Sequence, residues 1–70
     1  MLKADVLKKL DAIPEDEPLF LLRGRDPLAP PIVAGWATDA FNAGVGEAKV
    51  EGARAVAHAM ADYHLQRLPD

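Results

Sequence analysis

Prolines at positions 14, 18, 27, 30 and 31 set the strongest limit on how this chain can fold. A proline in a helix interior removes a hydrogen bond and clashes with the preceding turn, so regular helix is excluded across most of residues 11–29. Inside that region lies Leu19-Phe20-Leu21-Leu22, apolar at every position and bounded by Pro18 and Gly24. Four large apolar residues between breakers suit a short buried strand. Side chains alternate along a strand, so Phe20 and Leu22 would share one face and Leu19 and Leu21 the other, and both faces would need cover. The sequence offers no second strand, and one strand cannot satisfy its own backbone groups. The expectation is that it pairs with the same strand of another subunit. The alternative is an extended, strand-like loop packed on helices.

The segments on either side read as helices. Residues 2–10 carry Leu2, Val6, Leu7 and Leu10 at helical spacing with lysines between them, a short amphipathic helix. Asp5 lies toward its start and Lys8 and Lys9 toward its end, in keeping with the helix dipole. Its role is either to dock on the rest of the chain or to act as an arm that grips a partner. Residues 11–18 form a loop. A central helix is expected over residues 30–43, with Val33, Trp36, Ala37 and Ala40 on one face, Phe41 alongside, and Gly44 just past its end. Gly35 lies inside that helix and points to close helix packing or to a tolerated defect. A last helix is expected over residues 47–65, with Val50, Ala53, Val56, Ala57, Met60 and His64 on one face. The short link between the two makes them an antiparallel hairpin, and the tail from Gln66 is expected to fray. The fold class is thus mainly α: a short N-terminal helix, one short strand paired between subunits, then a helical hairpin, all in one small domain.

With 70 residues, the chain is near the lower limit for folding alone, and it has no cysteine to add a disulfide. Half its residues are apolar, but many are alanines that bury little area. Oligomerisation is the remaining route to a larger buried surface, so a homo-oligomer is expected, a dimer or higher. The net charge of −3 argues against nucleic acid as a partner. No signal-peptide pattern and no membrane-spanning apolar run are visible, which leads to the expectation of a soluble, cytoplasmic protein.

Catalytic constellations are not apparent. Glu15, Asp16 and Glu17 are consecutive in a proline-bounded turn and do not converge from separate elements, so they read as a solvated patch. His58 and His64 are six apart, not at the spacing of a helical metal pair. Thr38 is the lone serine-type nucleophile and, mid-helix, is expected to bond back to a carbonyl. Gly44-Val45-Gly46 fits neither phosphate-loop pattern. The chain reads as a non-enzyme with no cofactor and no metal.

What remains is Arg23, Arg25, Asp26 and Trp36. In one reading an arginine pairs with Asp26 or the acidic loop, and Trp36 anchors the core. In the other the arginines recognise a phosphate or carboxylate, the start of the central helix adds favourable potential, and Trp36 stacks a base. Gly24 permits a positive backbone angle and close approach of another group. Asp26 either caps the following helix or starts a turn with Pro27. Arg23, which continues the strand, is expected to be the more structural arginine, and Arg25, beyond the glycine, the freer one. If strands pair about a two-fold axis, arginines of two subunits converge on one anion.

Residues 17–37 resemble small proteins of unknown function encoded by phages and prophages, with the pattern EPxFxLRxxDxLAPxxVxxWA. The matches are Glu17, Pro18, Phe20, Leu22, Arg23, Asp26, Leu28, Ala29, Pro30, Val33, Trp36 and Ala37. Glu51-Gly52-Ala53-Arg54 and Ala59-Met60 are similar to the family's second helix, whose final aromatic, a tryptophan in the family, is Tyr63 here. The resemblance spans most of residues 17–63. It implies a phage-derived accessory protein acting in the host cytoplasm, carries over no catalytic residue, and gives Arg23 and Asp26 weight over Arg25. Two functions stay open. One is sequestration of a small anionic ligand, such as a nucleotide or a signalling nucleotide of host defence. The other is a protein-binding adaptor or inhibitor of a host protein.

Overall fold

A computed structural model describes residues 2–68, with three helices in the order α1 (Lys3–Leu10), α2 (Ala29–Asn42) and α3 (Glu47–Ala61). The α2 and α3 helices pack on each other. Early α2 lies beside late α3, with Pro30, Pro31 and Ala34 facing Ala57, His58 and Ala61 across a shallow hollow. The expected antiparallel hairpin is therefore present.

The link between them follows from one glycine. Gly44 has φ +86°, the left-handed region that costs a side-chain-bearing residue about 1–2 kcal/mol. That turn lets Val45 N–H donate to Ala40 O at 2.9 Å and Gly44 N–H donate to Phe41 O at 3.1 Å. This is the Schellman pattern of a glycine-terminated helix. It also delivers Val45 onto the core formed by Ala37, Ala40 and Val50, where Ala53 packs as well. At the other end of α2, Pro30 and Pro31 occupy the first turn, where no backbone donor is missed. Thr38 Oγ1 donates back to Ala34 O at 3.3 Å.

The core is small. The fully or nearly buried apolar residues are Ala29, Ala37, Ala40, Val50 and Ala57, of which Val50 alone is larger than alanine. Helix α1 buries none of its residues and makes no close backbone approach to α2 or α3. Asp5 accepts a hydrogen bond from Leu2 N–H at 3.2 Å, which satisfies one orphan donor at its start. The chain measures 30 × 29 × 19 Å with a radius of gyration of 12.9 Å, against about 11 Å for a well-packed domain of this length.

The expected strand is not formed. Among the described residues there is no strand, and 18–22 have no regular structure and no backbone–backbone hydrogen bond. A strand exists only through its ladder, and a single chain with one apolar extended segment has nothing to build that ladder with. Leu19, Phe20 and Leu21 are 62%, 87% and 73% exposed, and Leu22 is half-buried. Among the described residues the fold is accordingly mainly helical, three helices with an irregular segment at 18–22 in place of the strand.

Two boundaries also move. Helix α3 stops at Ala61, four residues short of the expected end, and the chain then folds back. Gln66 Nε2 donates to Met60 O at 2.5 Å and to Gly24 O at 2.7 Å, and Arg67 N–H donates to Arg25 O at 2.6 Å. Residues 66–67 are thus held rather than frayed; the rest of the expected fraying tail beyond residue 68 lies outside the described residues. His64, expected on the α3 face, lies beyond the helix with its ring 5.2 Å from that of Tyr63.

Candidate functional site

The turn at residues 23–26 is built by Asp26. Its Oδ1 accepts from Leu28 N–H at 2.8 Å, its own N–H donates to Arg23 O at 3.0 Å, and its carbonyl accepts from Ala29 N–H at 3.0 Å. Asp26 therefore starts the turn into α2 through an Asx-type bond and does not act as the helix N-cap, which is Leu28. Gly24 does not use a positive φ, since Gly44 is the one described residue that does. Its use is close approach: a Cβ there would lie 3.7 Å from the Met60 side chain of α3.

With the turn seated against Met60, a groove of about 760 Å³ opens between α1, residues 21–25 and α3. Leu2, Lys3 and Val6 line it from the N-terminal segment, Val56, Ala59 and Met60 from α3, and Tyr63 from the chain just beyond. Its volume falls within the range of small-molecule sites. The charged residues lining it are Lys3, Arg23 and Arg25, with no acidic residue among them. Arg54 pairs with Glu51 at 2.5 Å on α3, whereas neither Arg23 nor Arg25 forms an ion pair with Asp26 or with the exposed acidic loop at 15–17. The Arg54 guanidinium also lies 5.9 Å from the centre of the Phe41 ring.

Of the four residues singled out from sequence, Arg23 and Arg25 meet on this groove, Asp26 shapes the turn beneath it, and Trp36 is elsewhere. Trp36 is exposed on α2 and neither anchors the core nor lines the groove. Arg23, expected to be the more structural of the two, is exposed, and Arg25, expected to be the freer, is half-buried with its carbonyl bound by Arg67 N–H. The chain's fold-back over the turn, invisible in the sequence, is the reason.

Sequence reasoning missed Lys3, Tyr63 and Gln66. Lys3 reads as one more solvated lysine of an amphipathic helix until α1 is placed opposite α3. Tyr63 carried a signal only as the closing aromatic of the phage-protein pattern. Gln66 carried none. Comparison with protein-family models, curated proteins and solved structures finds no match for this chain. Among the described residues, no group of three or more His, Asp or Glu side chains could hold a metal ion, and no helix is long and apolar enough to cross a membrane.

Proposed function

We propose that this protein binds and sequesters a small anionic, nucleotide-like ligand in the groove between α1, residues 21–25 and α3, acting without catalysis and as a homo-oligomer. The observation that carries the reading is charge segregation. A chain of net charge −3 lines one groove with Lys3, Arg23 and Arg25 and with no carboxylate. Guanidinium groups form paired hydrogen bonds to phosphate oxygens, and the adjacent apolar walls and the Tyr63 ring suit a base or another flat apolar group. The oligomeric part is supported by area. A folded monomer of 7.5 kDa exposes about 4,250 Å², whereas this chain exposes 5760 Å².

The resemblance of residues 17–63 to phage and prophage proteins sets this role in a host cytoplasm, where withdrawing a signalling nucleotide would blunt host defence. The same groove, open to solvent along α1, also suits an acidic segment of a host protein, the adaptor or inhibitor reading. A thermal-shift screen with mono-, di- and cyclic nucleotides separates the two. A ligand present at 100 times its Kd adds about 2.7 kcal/mol of stability and raises the melting temperature. A flat response to every nucleotide at millimolar concentration removes the small-ligand reading and leaves the protein-binding one.

A further inference from the structure

We infer that the groove between α1, residues 21–25 and α3 selects a ligand poor in hydrogen-bond donors: a phosphate monoester on a flat apolar body, in which a base bearing oxo and methyl groups is preferred to one bearing amino groups. The inference rests on the proposed anion binding and names the part of the ligand that charge alone leaves open.

The groove has donors in excess. Lys3, Arg23 and Arg25 line it, and lysine and arginine side chains donate without accepting. The backbone N–H groups of Arg23, Gly24 and Arg25 donate to no backbone carbonyl among the described residues. Successive free N–H groups of a turn favour an anion.

Acceptors are scarce. Among the described residues lining the groove there is no Asp, Glu, Asn, Gln, Ser, Thr or His. Apart from the three cations, the lining side chains are aliphatic except for the Met60 thioether, a weak acceptor, and the Tyr63 phenol. The carbonyls of the turn are already engaged. Arg23 O accepts from Asp26 N–H at 3.0 Å, Gly24 O from Gln66 Nε2 at 2.7 Å and Arg25 O from Arg67 N–H at 2.6 Å. Asp26, the nearest carboxylate in sequence, accepts from Leu28 N–H and is not part of the lining.

The consequence for a ligand is one-sided. Phosphate oxygens meet donors, and an apolar ring meets Val6, Val56 and Met60, each half-buried with area left to cover. An amino group or sugar hydroxyl entering the same space finds the carbonyls of Leu21 and Leu22 and the Tyr63 hydroxyl at most. A donor that leaves water without gaining an acceptor weakens binding, and unpaired polar groups discriminate more sharply than missing apolar ones.

The test is calorimetric titration of the whole chain with inorganic phosphate, 1-naphthyl phosphate, thymidine monophosphate and guanosine monophosphate. The three esters carry the same phosphate group, naphthalene and guanine are both fused two-ring systems, and donors increase in the order given. The expected result is that 1-naphthyl phosphate binds at least about tenfold tighter than guanosine monophosphate, the effect of one unpaired donor, with thymidine monophosphate between them, inorganic phosphate weakest, and binding lost in the Arg23→Ala, Arg25→Ala double variant. A smaller ratio, guanosine monophosphate above thymidine monophosphate, or inorganic phosphate equal to the esters overturns the selectivity and leaves anion binding standing. Affinity for 1-naphthyl phosphate retained in the double variant, or no binding of any probe at millimolar concentration, overturns both.

Discussion

The side-chain amide of Gln66 donates to the carbonyl of Gly24 at 2.7 Å, across 42 positions of sequence. The same nitrogen donates to Met60 O at 2.5 Å. One side chain therefore ties the end of α3, the turn at residues 23–26 and the chain beyond α3 together, and the two arginines of the groove sit on what it holds. Replacing Gln66 by alanine leaves two part-buried carbonyls without this donor. The expected loss is about 1–3 kcal/mol. At about 4–8 °C per kcal/mol for a domain of this size, a melting curve will read it easily.

Gly44→Ala is expected to cost about 1–2 kcal/mol, because φ +86° is retained only against the clash of the new Cβ. Gly44→Asn should lose less, since asparagine tolerates that region better. Denaturant melts of the pair give the order; equal losses would mean that the turn has rearranged.

Helix α1 buries no residue and is only eight residues long. A helix of that length is marginal without docking. Amide exchange in α1 should therefore be much faster than in α2 and α3. A bound anion contacting Lys3 should slow it, and mass-spectrometric exchange with and without nucleotide measures both effects.

The hairpin was legible in the sequence because its signals are local. The Val33, Ala37, Ala40 spacing, Pro30 and Pro31 at the start and Gly44 at the stop each act within one turn of helix. The 19–22 segment misled for the opposite reason. Four consecutive apolar residues describe a segment that needs cover, and strand is only one way to obtain it; the ladder it requires is not encoded in the segment. Trp36 misled similarly: helical spacing places it beside Val33 and Ala37, but Ala37 and Ala40 make the contact with Val50 and Ala53 of α3, and the indole stays exposed. The site was half legible. Arg23 and Arg25 stand out in an acidic chain, but Lys3, Tyr63 and Gln66 join them only through contacts between distant segments.

Arg23→Ala is expected to leave stability within about 0.5 kcal/mol, since the residue is exposed and no ion pair depends on it. Arg25→Ala should cost somewhat more, through the packing of its half-buried stem. Each should weaken nucleotide binding about 10- to 150-fold, in line with about 1.5–3 kcal/mol for a hydrogen bond to a charged group. Melting temperature and calorimetric affinity, taken on the same samples, separate the two effects.

Anion binding in the groove is tested most directly by a backbone NMR titration of the labelled protein with the nucleotide that stabilises it most. The expected shifts are concentrated at Lys3, at residues 21–25 and at Met60 and Tyr63, are lost in the Arg23→Ala, Arg25→Ala double variant and are weakened by salt. Shifts centred on the hollow at Pro31 and His58, or no shifts at millimolar nucleotide, would contradict it.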